Sequence, residues 1–134
     1  MYLIERNIIL DWLQIISMGG NISGYFKRKG IDEVVIYGAG AVGLKLYADL
    51  RNSGISVRGI IDKSVRYVDE EVEIYLPEKI GDIPFSDGDI IVVATAVFFS
   101  EIYDFIRQNL KINVYILGYE DLIYDEYNKL LDGK

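Results

Sequence analysis

Val34-Val35-Ile36-Tyr37-Gly38-Ala39-Gly40-Ala41-Val42-Gly43, completed by Gly59-Ile60-Ile61-Asp62, is the stretch that decides the fold of this 134-residue chain. Its first four residues are a short β-branched and aromatic run, the composition of a strand buried on both faces of a parallel sheet. Three glycines follow at once with the spacing G-x-G-x-x-G. From Ala41 to Arg51 the pattern becomes helical, with Val42, Leu44, Leu46, Tyr47 and Leu50 as the apolar set. Asn52-Ser53-Gly54 stops that helix, and a second strand, Val57 to Ile61, ends on Asp62. Strand, tight turn, helix and strand make residues 33 to 62 a Rossmann-type βαβ unit.

A lone G-x-G-x-x-G says little, but here it leaves a strand, opens a helix and is answered by an acid at the next strand end. Asp62 lies 19 residues beyond Gly43, close to the spacing of a dinucleotide fingerprint. Gly38 permits the turn out of the strand, Gly40 lets backbone approach a pyrophosphate, and Gly43 lets the helix pack on the sheet. The unpaired N–H groups of Ala41, Val42 and Gly43 and the helix dipole favour an anion there. Asp62 is expected to accept ribose hydroxyls and to repel a 2′-phosphate, which favours NAD(H) over NADP; Lys63 and Arg66 act in the opposite sense. The alternative is that the glycines serve only strand–helix packing and that Asp62 caps a turn.

Working outward, Asp89 to Ala94 contains the apolar run Ile90-Ile91-Val92-Val93, a fourth strand. Its end, Ala94-Thr95-Ala96-Val97-Phe98-Phe99, is expected beside the first strand at the topological switch point, where open α/β sheets bind ligands. Thr95 and Ala96 are candidates for phosphate or ribose contact. Phe98 is a candidate cover for a base, whereas Phe99 reads as the apolar entry to the next helix. Ser100 is the expected cap of that helix, with Ile102, Tyr103, Phe105, Ile106 and Leu110 on its face. Val114 to Leu117 is a fifth strand ending at Gly118, and a last helix runs from about Glu120 to Leu131. Between Lys63 and Asp87, Val72 to Tyr75 reads as a degenerate third strand with little or no helix before it.

Before the first strand, Ile4, Ile8, Ile9, Trp12, Leu13, Ile15 and Ile16 recur at helical spacing and Gly19-Gly20 closes the run. A short second helix capped by Asn21 or Ser23 ends at Gly30. The expected architecture is therefore an N-terminal helical extension, residues 1–30, and a Rossmann-like domain, residues 31–134. The domain has three layers, α/β class, with a mostly parallel sheet of about five strands in the order 3-2-1-4-5. The apolar face of the extension needs a cover, and Trp12 is either core or an aromatic anchor in a subunit or partner interface.

The chain has no cysteine and no histidine. Disulfides, thiolate nucleophiles, Cys/His zinc sites and imidazole acid–base chemistry are therefore excluded. Lack of cysteine is compatible with a cytoplasmic location. A net charge of −7 and one basic run, Lys27-Arg28-Lys29, argue against a nucleic-acid partner. The charged N-terminus and short apolar runs argue against a signal peptide or membrane span, so the chain is expected to be soluble. Two Tyr-x-x-x-Lys pairs, Tyr25 with Lys29 and Tyr75 with Lys79, stand in the wrong context for dehydrogenase catalysis. Glu70-Glu71 and Glu120-Asp121 read as solvated surface, and no metal site is expected.

The glycine run, Gly59 to Asp62, Asp89 to Ala96 and Ser100-Glu101-Ile102 together resemble the small nucleotide-binding domains of bacterial surface-polysaccharide enzymes. These are the N-terminal domains of PglD-type sugar acyltransferases and CapD-type sugar-nucleotide dehydratases. The resemblance covers about residues 33 to 118. It implies a sugar nucleotide or NAD(H) at Gly38, Ala39, Gly40 and Gly43, with Asp62 as the acidic position. It also implies a role in polysaccharide or glycosyl-transfer metabolism; the N-terminal helix is the expected contact for a homodimer or a glycosyltransferase partner. The glycine turn lacks the histidine of many acyltransferase relatives. The expected function is a nucleotide-binding module that is non-catalytic alone. The alternatives are an interaction domain that has lost its ligand and a small oligomeric NAD-dependent oxidoreductase or epimerase.

Overall fold

The computed structural model describes residues 12–13, 21–95 and 98–132. The expected helix over residues 4–16 lies outside these, apart from Trp12 and Leu13, as do its Gly19-Gly20 stop and Ala96. In chain order the elements are α1 (Ser23–Arg28), β1 (Glu33–Tyr37), α2 (Ala41–Asn52), β2 (Ser56–Ile61) and β3 (Ile74–Tyr75). A 3-10 helix (Pro77–Asp82) follows, then β4 (Ile90–Val93), α3 (Phe99–Asn109), β5 (Tyr115–Gly118) and α4 (Tyr119–Asp132). The five strands form one sheet in the order β3-β2-β1-β4-β5. Every pairing is parallel. The sheet is the Rossmann-like α/β arrangement expected from the βαβ unit.

Because successive side chains of a strand point to opposite faces, the sheet divides its apolar residues between two cores. Val34 and Ile36 of β1, with Val92 of β4, face a core shared with Phe26, Leu46, Leu50, Leu122 and Ile123 of α1, α2 and α4. Val35, Ile91 and Val93 face the other core, closed by Ile80, Ile83, Phe85 and Ile106. β1 is paired on both sides, with β2 and β4, and is the axis of the sheet. β3 is only two residues long, and residues 62–73 reach it without a helix.

Trp12 is 1% exposed and belongs to the first core, with the Lys45 ammonium 5.3 Å from its ring centroid. It is a core residue of the chain, so an interface anchored on Trp12 is set aside. Several expected caps also differ. Neither Asn21 nor Ser23 caps α1; its N-cap is Ile22, whose N–H donates to Asp49 Oδ2 at 3.0 Å. Ser23 Oγ donates to Asp49 Oδ1 at 2.8 Å, so a carboxylate from α2 does the capping across the packing interface. Ser100 does not cap α3 either, because the helix starts two residues earlier than that cap requires, with Phe98 as N-cap. Leu44 and Tyr103, expected inward, are substantially exposed.

α1 is tied to α4 by charge. Glu126 is buried, and its Oε1 accepts a hydrogen bond from Arg28 Nη1 at 2.6 Å, while Arg28 Nη2 reaches Asp125 at 3.2 Å. Removing the guanidinium leaves a carboxylate in the core without its partner. Arg28→Ala is therefore expected to destabilise the fold by about 2 kcal/mol, below the ~3–5 kcal/mol of a fully buried pair because Arg28 is partly solvated. Urea denaturation measures this, and the double change Arg28→Met with Glu126→Leu is expected to recover most of the loss.

Candidate functional site

The crevice lies where β1 and β4 end side by side. Gly38 N–H donates to the Ile61 carbonyl at 2.7 Å and Ala94 N–H to the Tyr37 carbonyl at 2.9 Å, which aligns the three strand ends. The chain then turns through Gly38, with φ of +114°, a value that side chains rarely adopt. α2 begins at Ala41 with Gly40 as N-cap, no side-chain cap and no acidic residue in its first turn. The N–H groups of its first turn have no intrahelical partner, and the positive end of the helix dipole lies at the crevice, which Gly40, Ala41 and Val42 line.

The two later glycines of the run differ in what they require. A Cβ on Gly43 would sit 2.0 Å from the Gly38 carbonyl oxygen, so only a glycine lets α2 lie this close to the end of β1. A Cβ on Gly40 would meet nothing within 4 Å, and its backbone is ordinary. The fold needs Gly43; it does not need Gly40.

A cavity of about 530 Å³ opens over this turn, within the size range of small-molecule sites. Of the expected site residues, Gly38, Gly40, Ala41, Val42, Asp62, Lys63, Thr95 and Phe98 line it. Ala39 and Gly43 do not: both are buried beneath the turn. Phe98 is 57% exposed at the rim, while Phe99 packs against the second core. Sequence reasoning missed Tyr37, Ile61, Pro77, Ala94 and Ile102. Tyr37 and Ile61 could have been found, being the last residues of strands already assigned. Pro77 carried no local signal, because it arrives through the return of β3. Neither Tyr-x-x-x-Lys pair lines the cavity.

Asp62 is engaged by the backbone. Its Oδ2 accepts the Ala39 N–H at 2.8 Å, and its Oδ1 accepts the N–H groups of Ser64 at 2.7 Å and Val65 at 2.8 Å. Partial burial alone would raise its pKa, but these N–H donors and the Arg66 guanidinium outweigh it and hold the carboxyl below its ordinary value. Tyr37 is shifted upward, first by burial and then by the carboxylates of Asp62 and Glu78. Asp62 thus pins the glycine turn to the end of β2, the turn-capping role that stood as the alternative to ribose binding.

No family model matches the chain, and no curated protein matches it. Among solved structures, the crystal structure of RSP, a Rex-family repressor, aligns with 81% of this chain at 16% identity and a TM-score of 0.44. The aligned region spans 64% of that protein's chain, so this chain covers less than two thirds of it. The expected kinship with PglD-type and CapD-type domains is not upheld: neither comparison of sequences returns such a protein. The polysaccharide role, the sugar-nucleotide ligand and the glycosyltransferase partner rested on that resemblance and fall with it. The glycine pattern is shared by many domains of this fold, which is why it misled. The exclusion of nucleic acid is withdrawn as well, because it rested only on the net charge and a single basic run. A charge of −7 is a whole-chain sum and does not describe any one face. No helix among the described residues is long and apolar enough to cross a membrane.

Gly43→Ala is expected to destabilise the chain by about 3 kcal/mol, through overpacking against a backbone carbonyl that cannot move aside. Thermal or urea unfolding measures it. Asp62 adds an acid dependence. Its pKa is lower in the folded than in the unfolded chain, so its stabilisation is complete above the ordinary aspartate range and is lost as pH falls through the depressed value. Asp62→Asn is expected to flatten that loss, seen as a shallower fall in urea midpoint between about pH 5 and pH 2.

Proposed function

We propose that this chain is a nucleotide-binding module whose ligand is an NAD(P)-type dinucleotide held at the Gly38–Gly43 turn. The observation that carries this is Gly40. It lines the cavity, has an ordinary backbone, and a Cβ added to it would meet no protein atom within 4 Å. Its lack of a Cβ leaves room for something outside the chain, directly above the uncapped start of α2. A pyrophosphate fits that position because it is an anion that N–H groups and a helix dipole can hold without a lysine. From there the cavity extends to the apolar walls of Ile61, Pro77, Ile102 and Phe98, suited to a flat ring, and to the polar end at Asp62 and Lys63. Thr95, which also lines it, is a hydroxyl donor for phosphate or ribose. Ala39 and Gly43 act from below, by shaping the turn.

The reading is one of binding. The chain has no cysteine or histidine, and among the described residues the lining offers no nucleophile hydrogen-bonded to a base. A second reading, that the turn is purely structural, is favoured by the three backbone bonds to Asp62. Gly40→Leu separates the two, because position 40 lines the cavity and a Cβ there meets no protein atom within 4 Å. The native chain is expected to gain several degrees in Tm with millimolar NAD or NADP, as binding to the folded state alone requires. Gly40→Leu is expected to unfold within about 2 °C of the native chain in the absence of ligand and to lose the ligand response. No ligand response in the native chain would favour the structural reading.

A further inference from the structure

The end of the cavity at Asp62 and Lys63 bears on which ribose the site takes, an inference that rests on the nucleotide reading above. An aspartate at the end of the second strand selects an unphosphorylated ribose when both carboxylate oxygens are free to accept the 2′ and 3′ hydroxyls. Asp62 is not free in that way. A carboxylate has about four acceptor sites, and three are filled by the N–H groups of Ala39, Ser64 and Val65. One site remains for a hydroxyl, too few for paired recognition of a diol.

The same bonds disperse the negative charge that would repel a phosphate. Three N–H dipoles aim at the carboxylate, and positive side chains stand on the same loop. Lys63 lines the cavity and forms no ion pair among the described residues. Arg66 is held beside it, its Nη1 donating to the Lys63 carbonyl at 2.8 Å. Glu78, another acid felt at the cavity, acts on Tyr37 from the 3-10 helix that supplies Pro77. The basic groups are thus grouped at the Asp62 end.

We propose that this end of the site accepts a phosphate on the ribose 2′ position, with Lys63 as the residue that supplies the charge, so that the chain binds NADP at least as tightly as NAD. This reverses the preference for NAD expected from an acidic residue at position 62. Calorimetric titration of the full chain with NAD and NADP, repeated with 5′-ADP and adenosine 2′,5′-diphosphate, tests it. The expected result is a Kd for NADP equal to or below that for NAD, with the advantage growing as salt is lowered, because exposed charges are then less screened. Lys63→Glu is expected to move the NADP-to-NAD affinity ratio about tenfold toward NAD, whatever it does to the affinity common to both. A tenfold or greater preference of the native chain for NAD would overturn the proposal and leave the nucleotide reading standing. A ratio unmoved by Lys63→Glu would overturn the role of Lys63. Failure of all four probes to bind would overturn both this proposal and the nucleotide reading.

Discussion

The approach of α2 to the end of β1, with the Gly43 Cα against the Gly38 carbonyl, is the contact on which the rest of the structure depends. It sets the height of the helix above the sheet, and with it the packing of Leu46 and Leu50 onto Val34, Ile36 and Val92. It also places the uncapped N-terminus of α2 at the mouth of the crevice rather than in solvent. One short contact therefore serves core packing and site geometry together. The Asp62 carboxylate secures the arrangement from the side, through the Ala39 N–H.

Charge organises the periphery of the same framework. Arg28 joins α1 to α4 through Asp125 and Glu126. Arg51 joins α2 to the loop before β3 through Asp69 and Glu71, with the Tyr47 hydroxyl also on Asp69. Arg58 of β2 joins Glu33 at the start of β1 to Asp89 before β4. Exposed ion pairs contribute little singly, but each of these arginines bridges two carboxylates on segments distant in sequence. In an acidic chain this arrangement also limits repulsion among carboxylates. The loop over residues 62–73, which has no helix to anchor it, gains most from the Arg51 cluster.

Much of the fold was legible because its signals are local. β1, α2 and β2 are written as an apolar run, a glycine turn, a helical period and a second apolar run, and each signal needs only a few neighbouring residues. Right-handed crossovers between parallel strands then leave few sheet orders, which is why 3-2-1-4-5 could be reached. The site was legible where it coincides with those signals, at Gly38, Gly40, Ala41, Val42, Asp62 and Lys63, and where β4 ends at the switch point, at Thr95 and Phe98. The helix caps were less legible. Ser23 and Ser100 have the right chemistry for capping, but Asp49 and Phe98 occupy the roles because packing fixes where each helix begins. The family assignment failed for a related reason: the glycine pattern reports a backbone geometry that many unrelated functions share.

By itself the sequence determined the class of the fold, the position of the glycine turn, and the absence of thiol and imidazole chemistry. These follow from periodicity, from glycine's conformational freedom and from composition, none of which depends on distant residues. Tertiary structure alone decided that Trp12 is core, that Pro77 and Ile102 wall the cavity, and that the Asp62 carboxylate is bonded to three backbone N–H groups. The reason is that a side chain's partners are set by what the sheet brings beside it. An aspartate at a strand end reads the same in sequence whether its oxygens face a ligand or the chain's own backbone.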